Sequence, residues 1–127
     1  MARLLTLIAT TLIAATPLAA TPALAGDAAA GRAYFKATCA MCHGDTARSP
    51  AGVGPRLFGV VGRKAGSLPG YSYSKAVAGA GFTWTPAKLL EWVTKPGAVV
   101  PGNKMPFAGV AKPADRENVI AYLETLR

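Results

Sequence analysis

Apolar residues recur at three- and four-residue intervals in three stretches of the chain, and each stretch is bounded by residues that start or stop a helix. Asp27 precedes Ala28, Ala29, Ala30, Ala33 and Phe35, and a carboxylate there can accept from the free N–H groups of a first turn, which predicts a helix reaching about Thr38. Thr85-Pro86 places a capping hydroxyl before a proline at the first helical position; Leu89, Leu90, Trp92 and Val93 then form an apolar side that Pro96-Gly97 ends. A last helix opens near Lys112-Pro113, carries Asp115 and Glu117 where the helix dipole favours acids, and closes with Arg127. Its Val119, Ile120, Tyr122, Leu123 and Leu126 mark a packed face. From Gly44 to Gly81 the chain is rich in Gly, Pro and Ser, which predicts loops packed around something larger than themselves. No internal repeat and no sustained strand alternation is present, so the expected class is all-α.

The opening residues follow a different pattern. Arg3 gives a positive start, Leu4 to Ala15 an apolar run, and Ala23-Leu24-Ala25 a small-residue cleavage site, so residues 1–25 are expected to be a secretory signal removed before Gly26. Pro17 and Pro22 interrupt it and leave the run short for a membrane anchor. Residues 26–127 are then one small domain, expected to be soluble, monomeric and periplasmic, without stable membrane insertion.

Charge narrows the partners. Losing Arg3 from the fourteen basic residues leaves thirteen against six acidic ones, an excess of seven positive charges. The basic residues are scattered singly or in the pair Arg63-Lys64, with no arginine-rich run, and an exported chain meets little nucleic acid. Nucleic acid is therefore not an expected partner. Acidic surfaces of membrane-bound or periplasmic redox proteins, docked transiently, fit the charge better.

The chemistry concentrates in Cys39-Ala40-Met41-Cys42-His43, which holds the only two cysteines and the only histidine. This spacing attaches a c-type haem. Two cysteines three residues apart on a helical turn point the same way, so both sulfurs can reach the vinyl groups of one macrocycle, and the next residue brings an imidazole to the iron. A thioredoxin-like redox pair would lie near a βαβ pattern, which is not visible, and zinc would need more ligands than one Cys-Cys-His cluster supplies. With no second histidine, the other axial position is left to thioether, hydroxyl, amine or solvent. Met1 lies in the leader and Met41 between the cysteines, so Met105 is the thioether candidate. It stands in Pro101-Gly102-Asn103-Lys104-Met105-Pro106-Phe107, where prolines and glycine stop regular structure and can hold a projecting loop. A His43/Met105 axial pair follows by elimination.

The order Gly54-Pro55-Arg56-Leu57, Gly62-Arg63-Lys64-Ala65-Gly66, Tyr71-Ser72-Tyr73-Ser74, Gly81-Phe82-Thr83-Trp84 and Pro101-Gly102-Asn103-Lys104-Met105 is similar to that of the class I cytochromes c, of the mitochondrial type and its short bacterial relatives. The resemblance runs from Asp27 to Arg127. It implies a small fold of several helices and loops wrapped around one covalent haem, with the first and last helices crossing at Gly31, Phe35 and Tyr122. It implies thioethers at Cys39 and Cys42 and iron ligation by His43 and Met105. Pro55 would offer its carbonyl to the ligand imidazole, Tyr73 and Trp84 would donate to a buried propionate, and Arg63 would offset that charge.

Three positions depart from the family. Val77 replaces a common asparagine, Trp92 a tyrosine, and Asn103 a threonine, all in the network of hydrogen bonds beside the methionine, with Trp92 still able to donate at the cofactor. Lys104 and Lys112 remain of the lysines that ring the haem edge in relatives, while Thr38, Gly52, Gly97 and Ala111 stand where lysine is frequent. With both axial positions filled, the implied function is a soluble one-electron carrier between redox complexes and not an enzyme. A second reading keeps the haem but makes Met105 labile, giving a peroxidase-like or gas-binding protein.

Overall fold

Asp27 starts the first helix as its side chain predicts: Oδ1 accepts from the N–H groups of Ala29 and Ala30 at 2.8 and 3.2 Å. The computed structural model describes residues 26–127, and the expected leader lies outside the described residues. Helix α1 (Ala28–Tyr34) runs directly into a π-helical segment, Phe35–Cys39, so the predicted reach to Thr38 is met by a chain that widens half-way. The Ala40 N–H donates to the Phe35 carbonyl at 2.9 Å, one residue beyond the α-helical partner. This wider turn delivers Cys39 from the end of a helix.

One single-turn helix lies where loops were expected, and another where only the end of a helix was expected. Helix α2 (Lys75–Ala78) interrupts the Gly- and Ser-rich stretch, its first turn closed by the Ser74 hydroxyl accepting from Val77 N–H at 3.1 Å. Helix α3 (Pro86–Thr94) follows Thr85 as predicted, with the Thr85 Oγ1 accepting from Lys88 N–H at 3.1 Å. Pro96 does end α3, yet it also opens α4 (Pro96–Val99), because a proline has no N–H to waste at a first helical position. Helix α5 (Pro113–Thr125) begins after Lys112 and stops two residues short of the chain end. Lys64 and Thr83 form an isolated antiparallel bridge, and there are no strands among the described residues.

The core is built from the first and last helices. Phe35 and Ile120 are wholly buried, with Val119, Tyr122, Leu123 and Leu126 of the α5 region packed beside them. Phe35 and Tyr122 meet with ring centroids 5.4 Å apart and a 59° tilt, a favourable aromatic geometry. Gly31 allows the approach: a Cβ built on it would lie 1.9 Å from the Asn118 carbonyl oxygen. Asn118 also accepts from the Asp27 N–H at 2.8 Å, which pins the start of α1 to α5. Leu89 of α3, Val60, Ala65 and Trp84 complete the cluster, so the loops hang on the helices through a few apolar anchors.

Candidate functional site

His43 follows the π-helical segment after one tight turn, in which the Cys42 and His43 N–H groups both donate to the Cys39 carbonyl, at 3.0 and 2.9 Å. The turn keeps both thiols and the imidazole on one short stretch. Cys39 and Cys42 are unpaired and half-buried. Burial, with a smaller push from Cys42, raises the Cys39 thiol to about 11. Burial also holds His43 below the usual imidazole value, opposed by its bond to Pro55.

That bond fixes the ring. Nδ1 of His43 lies 2.7 Å from the Pro55 carbonyl oxygen; a carbonyl only accepts, so Nδ1 carries the proton and Nε2 keeps its lone pair. Gly54 lets the two loops close, since a Cβ there would lie 2.4 Å from Cε1 and 2.9 Å from Nε2 of the imidazole. The Gly54 N–H donates to the Cys42 carbonyl at 2.9 Å, stitching the Pro55 loop to the cysteine turn. An imidazole so held, with one nitrogen engaged and the other free, has the usual arrangement of a metal ligand.

Met105 sits half-buried in the loop after α4. Asn103 shapes that loop: its Nδ2 donates to the Val100 carbonyl at 2.9 Å and its Oδ1 accepts from the Met105 N–H at 3.0 Å. Lys104 donates to the Ser72 carbonyl and lies 5.0 Å from the Tyr71 ring centroid. The Tyr71 hydroxyl in turn donates to the Val53 carbonyl at 2.9 Å, next to Gly54. Tyr71 therefore joins the methionine loop to the histidine side. Tyr71 belongs to the stretch Tyr71-Ser72-Tyr73-Ser74, but no local pattern assigns it this bridge.

The remaining expected residues gather in two groups. Trp84 is buried between Phe82 and Trp92, with edge-on ring contacts at 4.8 and 5.2 Å. Tyr73 stacks edge-on to Tyr71 at 4.7 Å and faces Arg63 closely enough to oppose the lowering that burial imposes on that guanidinium. Arg63 spends two of its donors on the backbone, Phe58 at 3.2 Å and Arg56 at 2.9 Å, which closes the loop between them. A further cluster, unforeseen in the sequence, starts two residues after the histidine: Asp45 accepts from the Tyr122 hydroxyl at 2.6 Å and from Lys36 at 2.7 Å. Its partners come from α5 and from the π-helical segment, so only the fold brings them together.

These residues fit a covalently held haem. Two thiols and an oriented imidazole on one turn supply donors, and Met105 lies half-buried on a separate loop. Leu57, Phe58, Phe82, Leu90, Trp92 and Val93 pack against the core yet remain only partly covered, which suits contact with a large apolar macrocycle. No group of three or more His, Cys, Asp or Glu side chains among the described residues could hold a bare metal ion.

Comparison with known proteins agrees with this chemistry. A family model described as cytochrome C oxidase, cbb3-type, subunit III, matches residues 26–123. The chain is 45% identical over 93 residues to cytochrome c2 of Rhodopila globiformis, covering 73% of this chain and 87% of that one. It is 49% identical over 88 residues to cytochrome c2 iso-2 of Magnetospirillum fulvum, covering 69% and 91%. Among solved structures, cytochrome cH from Methylobacterium extorquens superimposes with a TM-score of 0.73 at 46% identity, covering 79% of this chain and 99% of that one. The chain belongs to the class I cytochromes c, carries covalently bound haem c, and is an electron-transfer protein and not an enzyme.

Proposed function

We propose that this chain is exported, loses residues 1–25, and works as a soluble monomeric carrier in the periplasm, with Cys39 and Cys42 forming the thioethers and His43 and Met105 occupying the two axial positions. The observation that carries this reading is the 2.7 Å contact between His43 Nδ1 and the Pro55 carbonyl, which orients the ring and leaves the Nε2 lone pair free. When bound, haem supplies an iron that takes up or releases one electron. The chain's own part is to keep the surroundings unchanged while that happens. His43 is fixed by Pro55 and Gly54, Met105 by its loop, and the aromatic group around Trp84 excludes water from one wall. Arg63, Tyr73, Trp84 and Trp92 would receive the polar edge of the macrocycle.

With both axial positions taken by side chains, no coordination site remains for a guest molecule, and small rearrangement favours rapid exchange with membrane-bound or periplasmic redox proteins. The net positive charge supports docking on acidic surfaces. No helix among the described residues is long and apolar enough to cross a membrane. The test is Met105→Ala in the haem-loaded protein. The pigment should stay attached on denaturing gels, the reduction potential should fall, and cyanide should bind rapidly. An unchanged potential would remove Met105 from the ligand set.

A further inference from the structure

The segment Pro101–Phe107 has no helix or strand, yet three hydrogen bonds converge within it on one side chain and its own amide. The Asn103 N–H and Nδ2 both donate to the Val100 carbonyl, at 3.2 and 2.9 Å, and Oδ1 accepts from the Met105 N–H at 3.0 Å. The Phe107 N–H then donates to the Met105 carbonyl at 2.9 Å, so both peptide groups of Met105 are tied. Gly102 supplies the turn at φ +84, a conformation open mainly to glycine. We propose that Asn103 is a positioning residue: its carboxamide clamps the end of α4 to the Met105 backbone and so holds the thioether at the iron, slowing its release.

The shape of the side chain carries the argument. Val100 O and Met105 N–H stand on opposite sides of Asn103, and a carboxamide presents a donor and an acceptor on two separate atoms to reach both. A hydroxyl presents both functions on one atom and reaches one partner. A loop already tied in its ligand-bearing shape has little conformational entropy left to lose on binding, so the bound state is favoured over the open one. Both carboxamide atoms of Asn103 are engaged by backbone, and the residue acts through Met105.

This inference rests on Met105 being an axial ligand, and the experiment separates the two. Cyanide binding to the ferric haem protein is followed in the wild type, Asn103→Ala, Asn103→Thr, Asn103→Asp and Met105→Ala, each beside its global denaturation midpoint. Loss of about 1.4 kcal/mol of clamp, the free energy of a tenfold change, should quicken cyanide entry about tenfold in Asn103→Ala. Asn103→Thr, which keeps a polar side chain of similar size if the alanine variant does not mature, should quicken it a few-fold. Asn103→Asp keeps the acceptor for the Met105 N–H but turns a carboxylate oxygen toward the Val100 carbonyl, which can only accept, so it should quicken cyanide entry like the alanine variant, and a wild-type rate there overturns the two-sided clamp. A rate unchanged in both Asn103→Ala and Asn103→Thr, or one rising only in step with lost global stability, overturns the clamp. An unchanged cyanide rate in Met105→Ala overturns the ligand assignment itself, whatever the Asn103 variants do.

Discussion

Gly54 lies flat against the His43 ring, so close that a methyl group on it would sit 2.4 Å from Cε1. The carbonyl of the neighbouring residue, Pro55, uses that proximity to accept a hydrogen bond from Nδ1–H at 2.7 Å. Gly54→Ala should therefore destabilise the protein by about 1–3 kcal/mol through overpacking and lower the yield of coloured protein. An unchanged denaturation midpoint would mean the imidazole is free to move aside.

Gly31→Ala offers a test in which two effects have opposite signs. In an exposed helix alanine is favoured over glycine by roughly 0.5–1 kcal/mol. Here the new methyl would lie 1.9 Å from the Asn118 carbonyl, a backbone atom that cannot swing away. A loss of about 3 kcal/mol is expected, since overpacking against rigid neighbours lies at the upper end of its usual range. Any gain in stability would show that α1 and α5 can separate at little cost.

Asp45 should make part of the stability depend on acidity. Lys36, and next the Tyr122 hydroxyl, hold its carboxyl below the usual range despite opposing burial. A depressed carboxylate stabilises the fold above its unfolded value of about 3.9, and the contribution is lost as pH falls through the lower folded value. Asp45→Asn should cost about 1–2 kcal/mol near neutrality, where hydrogen bonds to a charged group are lost. The gap between variant and parent should close in acid, as read from denaturant midpoints across pH. A constant gap would point to packing instead of charge.

Tyr71→Phe removes the bond to Val53 while leaving a ring beside Lys104. A cost of about 1 kcal/mol is expected, with faster amide hydrogen exchange confined to residues near 53 and 104. Uniform exchange across the chain would deny Tyr71 its bridging part.

Reaction with an acidic partner should slow as ionic strength rises, because the attraction is screened over about 8 Å at physiological salt. A flat profile would favour apolar docking. Met41 and Val53, 80% and 70% exposed on joined loops, would then be the side chains to replace.

The parts of the fold that sequence conveyed were those written locally. Asp27, Thr85-Pro86 and Lys112-Pro113 each announce a helix through a cap or a proline, and the long apolar faces of α3 and α5 repeat often enough to be seen. Helices α2 and α4 span four residues each, too few for a period to show. The π-helical widening before Cys39 leaves no pattern either, since five residues are too few for a change of period to show. At the site, the pentapeptide and the scarcity of histidine pointed to the cofactor before any fold was known. What stayed hidden were contacts between distant positions, such as Asp45 with Tyr122 and Tyr71 with Val53, whose partners become neighbours only in three dimensions.

Asp27 meets Asn118 across 91 positions of chain, and Asp45 meets Tyr122 across 77. Such separations slow collapse, since distant segments must find one another before either is rewarded. The cysteine turn, by contrast, closes through bonds three and four residues apart, so both thiols and the imidazole are gathered by local contacts that owe nothing to those distant pairings.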